Sequence, residues 1–252
     1  EEGGGGKIPF IEAGFFEDVH ASMMVHPFPT DVAEPDIIAV QQLNVTYVGR
    51  AAHASGFPWL GINAADALVV VQTAIGLLRQ QLLPTDRIHG YVTKGGEAAN
   101  IIPERTTAEY MVRAATSDRL EELTEKVTKI FEAGALATGA TLELEMDVAY
   151  KDMRHDSELA AIYRRHAEAL GREFAPEASP VSTDMGNISH EVPSIHPMLG
   201  IETDAVNHQK EFADACATPS ADQAIYDGAL AMADTVIEVA GEESLRSRLL
   251  AK

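Results

Sequence analysis

The chain has 252 residues, 46% of them apolar and 23% charged, an ordinary globular composition with enough material for one or two domains. A formal charge of −20 argues against nucleic acid and anionic membrane as partners, because both require basic patches. The single cysteine, Cys216, excludes an internal disulfide and fits a reducing, cytoplasmic compartment, and no apolar run is long enough to span a bilayer.

The opening stretch, EEGGGGK, leads into a short helix-like piece over Ile8 to Gly14. The apolar run SMMVHP then predicts a buried strand ending at His26, because Pro27 and Pro29 stop further pairing. LNVTYVG alternates Leu43, Val45 and Tyr47 against Asn44 and Thr46, the pattern of a half-buried strand. NAADALVVVQTAIGLLRQ sets Leu68, Val71, Ile75 and Leu78 at helical spacing, with Asn63 as N-cap and Asp66 in the first turn. RIHGYVT and TTAEYMVRA predict strands, joined by a loop that contains Gly95, Gly96 and Pro103. DRLEELTEKVTKIFEAG returns to the helical period through Leu120, Leu123, Val127, Ile130 and Phe131. TLELEMDV alternates again, with Leu142, Leu144, Met146 and Val148 expected inward.

Strand, helix, strand, strand, helix, strand is the split βαβ arrangement, a four-stranded antiparallel sheet with two helices on one face. It spans residues 41–152. A further helix follows through Leu159, Ile162, Tyr163, His166 and Leu170, stopped by Gly171. Beyond a loop-rich stretch, the last helix is expected to start with Ser220 and Gln223 as a capping pair and to bury Ile225, Met232, Val236 and Ile237. The simplest organisation is one α/β domain, residues 1–40 and 153–252, interrupted by a ferredoxin-like insert.

The glycine run has three readings. As a phosphate loop it lacks the hydroxyl after Lys7, where Ile8 stands, and its two acids repel phosphate. As a flexible tail it carries no chemistry. As part of an active site, Glu1 and Glu2 diverge along extended backbone, so that one binds a metal while the other faces the metal's water. His26 closes an apolar strand and His208 sits in a polar loop. Each alone is more often an ordinary histidine, yet Glu2, His26 and His208 form the mixed set that zinc favours.

Six stretches occur in order: EEGGGGK, MMVHP, GRAAHASGFPWLGINAADA, GGEAANIIPE, MVR and STDMGN with VPSIHP and NHQ. Together they resemble the dinuclear-zinc metallopeptidase and amidohydrolase family of aminoacylase, carboxypeptidase G and p-aminobenzoyl-glutamate hydrolase. The likeness is strongest to the branch of the latter enzyme and the β-alanyl-lysine dipeptidase. The resemblance implies an α/β zinc-peptidase catalytic domain interrupted by a lid that also makes a homodimer. It implies hydrolysis of an amide bond in a small dipeptide or N-acyl amino acid, with two zinc ions per subunit, or Mn2+ or Co2+ in their place. By the same resemblance Glu1 is the general base and Glu2, His26 and His208 are metal ligands. His53 polarises the scissile carbonyl in the partner subunit's site, and Asn100 and Arg113 hold the substrate's amide and carboxylate. His196 lies beside the pocket as a substrate-binding residue and is the less favoured rival to His208 as a ligand, and Asp184 either orients a ligand or caps a turn.

In that family a first histidine ligand and a bridging Cys or Asp stand upstream of the paired glutamates. The chain is therefore expected to be the C-terminal part of a longer, metal-dependent enzyme, incomplete and inactive by itself. The alternative is a non-catalytic dimerisation or binding module on the same scaffold, which has no need of His53, Asn100 and Arg113 together.

Overall fold

The computed structural model describes residues 4–176 and 180–251, and the chain divides into two units, Glu1–Ile37 with Met153–Lys252 and Ile38–Asp152. The roles expected of Glu1 and Glu2 fall outside the described residues.

The continuous unit contains β3 (Ala39–Val48), α2 (Ala64–Leu78), β4 (Arg87–Lys94), β5 (Arg105–Ala114), α3 (Ser117–Thr138) and β6 (Thr141–Met146). The sheet order is β4-β5-β3-β6 and every pairing is antiparallel, the ferredoxin-like topology. β3 alternates strictly between buried and half-buried residues, so Leu43, Val45 and Tyr47 face the helices as the period-2 pattern requires. Asn63 caps α2 by accepting the Ala65 N–H at 3.0 Å. The helices press close at Gly134, where a Cβ would stand 2.8 Å from Val71 and 3.1 Å from the Tyr47 hydroxyl. One expectation is corrected here. Leu142 and Leu144 pack on the core, but Met146 and Val148 are exposed, because Met146 is the last residue of the β3–β6 ladder on this edge strand.

The discontinuous unit contains α1 (Lys7–Glu12), β1 (Ser22–Met23), β2 (His26–Phe28), α4 (Ser157–Ala169), α5 (Met185–Ser189), β7 (Ser194–Ile195), β8 (Met198–Gly200), α6 (Lys210–Ala215), α7 (Pro219–Gly241) and α8 (Glu243–Leu250). β1 pairs parallel with β7, and β2 parallel with β8. The single strand expected to end at His26 is therefore two short strands, and His26 opens the second. Pro27 is accommodated because the ladder bonds here use the His26 N–H and, on the far side, the Phe28 carbonyl, so its missing N–H goes unneeded.

α7 also departs from expectation. Pro219 begins it at the first helical position, two residues earlier than Ser220 as N-cap implies. Ser220 Oγ instead accepts the Glu202 N–H, and Gln223 donates to Asp227. The buried face is a stripe of Ala221, Ala224, Gly228, Ala231 and Thr235. Ile225, Val236 and Ile237 are 69%, 54% and 69% exposed, and Met232 packs only partly. α7 packs against α4, and Gly228 closes on Leu199 and Val25, a closeness that small side chains permit. Among the described residues no helix is long and apolar enough to cross a membrane.

His155 ties the two chain segments of this unit together: its Nε2–H donates to the Pro35 carbonyl at 3.0 Å. Burial lowers its pKa, which the neighbouring carbonyl and the charges of Glu34 and Asp36 only partly offset. The unfolded chain takes up this proton below a pH of about 6.5 while the native ring stays neutral, so its contribution is complete above that pH and is lost as pH falls. In His155→Gln, the slope of unfolding free energy between a pH of about 6.5 and the native pKa should flatten by up to about 1.4 kcal/mol per pH unit. Urea titrations across that range would show it, and parallel slopes for the two proteins would refute it.

Candidate active site

In the discontinuous unit, His26 is positioned by the β2–β8 ladder, its N–H donating to Pro197 at 3.0 Å. Its Nδ1–H donates to the Pro27 carbonyl at 2.8 Å, which leaves the lone pair on Nε2. The Asn207 amide donates to that same carbonyl at 3.4 Å. His208 follows directly with φ 71°, the one non-glycine residue in the left-handed region among the described residues. Such a conformation costs roughly 1–2 kcal/mol and persists where the surroundings impose it. One carbonyl thus ties His26 to the residue beside His208, although the two segments lie far apart in the chain.

His196 lies between β7 and β8, 1% exposed, its ring stacked on that of His26 with centroids 5.9 Å apart. Neither ring nitrogen has a hydrogen-bond partner among the described residues. Burial, reinforced by His26, His155 and Lys7, pushes its pKa down to about 3, so the ring is neutral and retains a lone pair. A buried, unsatisfied imidazole is costly and marks a place where a ligand completes the bonding. The lone pair on His26 Nε2 fits a divalent cation held by imidazole. Among the described residues no group of three His, Cys, Asp or Glu side chains is assembled to hold a metal, and the carboxylate share of the expected set falls on Glu2.

Asp184 makes no side-chain cap for α5. Its side chain is fully buried and takes the Lys7 ammonium at 2.7 Å and the Lys7 backbone N–H at 3.1 Å. This pairing commits the one cation of the EEGGGGK motif, which disposes of the phosphate-loop reading.

In the continuous unit, His53 forms an antiparallel bridge with Ile101, and the Ala54 N–H donates to the Asn100 carbonyl at 3.0 Å. Two loops are thereby zipped together, and His53 and Asn100 are brought to one place. Arg113 lies on β5, half-buried. Its Nε–H donates to His89 Nε2 at 3.3 Å, across the ladder and two residues along from its register partner Arg87. Burial lowers the pKa of both, and the Arg113 charge lowers that of His89 further. A neutral His89 can accept from the guanidinium and fix its plane.

Sequence reasoning missed three supporting residues: Lys7, His89 and Asn207. None of the three carried a signal in the amino-acid order: the register that sets His89 diagonally beside Arg113 exists only in the folded ladder, and the partners of Lys7 and Asn207 lie far along the chain.

Residues 40–138 match the family of peptidase dimerisation domains. Over 245 residues the chain is 39% identical to a Xaa-Arg dipeptidase of Mus musculus, covering 95% of this chain and 57% of that protein. Over 151 residues it is 32% identical to one of the polypeptides of p-aminobenzoyl-glutamate hydrolase of Escherichia coli (strain K12), covering 59% of this chain and 31% of that protein. Among solved structures, a dinuclear metal binding peptidase of the M20 family from Bacillus subtilis superposes with a TM-score of 0.65 at 17% identity, covering 94% of this chain and 62% of that one. That likeness shows the fold. The chain spans a little over half the length of the Xaa-Arg dipeptidase.

Proposed function

We propose, from the premise that this chain is a homologue of the M20 peptidases and amidohydrolases and carries their dimerisation domain, that the protein is a metal-dependent hydrolase of a small amide substrate. The preferred substrate is a dipeptide with a free carboxylate. A basic C-terminal residue is the first choice, after the Xaa-Arg dipeptidase relative, and p-aminobenzoyl-glutamate the second. The observation that carries this reading is the Pro27 carbonyl shared by His26 and the residue before His208, beside the unsatisfied His196.

Glu2, His26 and His208 would hold the metal, zinc before manganese or cobalt. The bound ion would supply Lewis acidity and lower the pKa of a coordinated water. Glu1 takes the proton of the attacking water and returns it to the leaving amine. His53 donates from its ring to the oxygen that gains charge, and Asn100 holds the substrate amide. The Arg113 fork takes the substrate carboxylate, and His196 closes the pocket as a neutral hydrogen-bonding ring. Residues 1–40 and 153–252 form the catalytic body, and residues 41–152 the lid through which two copies pair. The compartment is cytoplasmic, in keeping with a single free cysteine.

The test, in the full-length protein, is hydrolysis of X-Arg and X-Lys dipeptides before and after chelation. Activity should vanish on metal removal and return with Zn2+, Mn2+ or Co2+. His26→Ala and His208→Ala should lower the bound metal per chain, and full metal content in both would sink the ligand assignment. Arg113→Ala should raise KM by about 10–100-fold with kcat within a few-fold, the loss of a charge-assisted bond made equally in ground and transition states. An unchanged KM removes Arg113 from carboxylate binding.

A further inference from the structure

The turn after His53 carries more information than the position of that ring. His53 Nδ1 faces three donors of its own loop: the Ser55 N–H at 3.3 Å, the Gly56 N–H at 3.1 Å and the Ser55 hydroxyl at 3.3 Å. A backbone N–H can only donate. A ring nitrogen that receives two of them holds its lone pair, so the proton of the neutral imidazole resides on the other nitrogen. The His53 carbonyl in turn accepts the Phe57 N–H at 3.0 Å, and the bridge to Ile101 fixes the other side of the strand end. A Cβ on Gly56 would sit 3.5 Å from Nδ1, ordinary contact, so the ring is packed against its own turn without strain. Among the described residues Nε2 has no partner, and the residue is exposed.

We propose that Ser55 and Gly56 are positioning residues that lock His53 in the tautomer protonated on Nε2, so that the ring presents a single outward N–H donor. The proposal rests on the assignment of His53 as the group that polarises the substrate carbonyl, and it supplies what that role needs. The opposite tautomer would turn a lone pair toward the oxygen that gains negative charge and would repel it. The lock is made by backbone groups, so it is in place before substrate arrives and costs no reorganisation during the reaction. The same histidine placed in a loop without this turn would divide its proton between two nitrogens. Metal-bound or catalytic imidazoles are commonly oriented by a carboxylate or a carbonyl that accepts from the far nitrogen. Here the far nitrogen is the acceptor, and the sense of the device is reversed.

Long-range 1H–15N spectra of the uniformly labelled chain, without substrate and at a pH where the ring is neutral, read the tautomer directly. The His53 signals are assigned by their absence from His53→Gln. The Nε2–H form should exceed the Nδ1–H form by about tenfold or more, the combined bias of two modest hydrogen bonds. Ser55→Ala should leave that ratio within about twofold, since both N–H groups remain. Gly56→Pro removes one of them and should shift the ratio about fivefold toward Nδ1–H. A proton on Nδ1, or a near-even mixture, overturns the proposal. If Gly56→Pro fails to fold, the spectra of the parent and of Ser55→Ala decide alone. The outcomes separate from those of the functional assignment. An Nε2–H tautomer in a protein whose His53→Ala variant keeps full kcat leaves the lock standing and removes His53 from the chemistry. An Nδ1–H tautomer with kcat lost does the reverse.

Discussion

In the full-length protein, replacing His53 with alanine lowers kcat by about 10²–10³-fold, the loss that follows removal of one preorganised donor to a developing oxyanion. Three other measurements should stay put. Bound metal per chain remains at the parent level, because the ring offers a proton rather than a lone pair on its exposed side. KM changes by no more than a few-fold, because a donor aimed at developing charge does little for the ground state. Thermal stability is nearly unchanged, since the side chain is exposed and its bonds are confined to residues 53–56. Metal loss in proportion to the loss of rate would make His53 a ligand. A parent-level kcat would remove it from the reaction altogether.

Lys7→Met should lower unfolding free energy by about 3–5 kcal/mol, the usual consequence of removing one partner from a buried ion pair. The side chain of Asp184 has no exposure, against 19% for Lys7, so the carboxylate cannot turn to water when the ammonium goes. The remaining N–H of Lys7 offsets part of the cost, because it donates to the other carboxylate oxygen in any residue placed there except proline. Asp184→Asn should be milder, since a neutral amide can still accept from that N–H. The double variant should recover part of the loss, because no unpaired charge remains. Urea unfolding of the four proteins gives the coupling. A loss below about 1 kcal/mol in Lys7→Met would mean that the pair is worth no more than a surface salt bridge.

These two effects sit at opposite ends of what the amino-acid order discloses. His53 lies in a motif whose neighbours, Ser55 and Gly56, are its own bonding partners, so the arrangement is local and could be inferred from a short stretch. Lys7 and Asp184 are 177 positions apart, and no property of either segment announces the other.

The same division holds for the whole chain. The ferredoxin-like unit was legible because each of its elements repeats with its own period. Strand residues alternate between two faces and helix residues return every three to four positions, so burial in that unit is written into local order. The Asn63 cap and the Gly171 stop were legible for the same reason, each acting within a turn of itself. Periodicity also suggested an apolar face for α7, and there it misled. Ile225, Val236 and Ile237 are the more hydrophobic residues, but Ala221, Gly228 and Ala231 are the ones that let α4 and β8 approach. Which face is buried depends on what lies opposite, and a hydrophobicity pattern is silent about that. β1 and β2 likewise form against β7 and β8, far along the chain, and only that parallel pairing shows that the apolar run is two strands and that His26 opens the second. The sequence alone determined the elements of the ferredoxin-like unit and the residue types capable of the chemistry, because those follow from interactions within a few positions. The tertiary structure alone decided which carbonyl joins His26 to Asn207, which cation satisfies Asp184 and which ring holds Arg113. Those bonds exist only after chain segments far apart in order have been brought to within about 3 Å, and hydrogen bonding acts over no longer range.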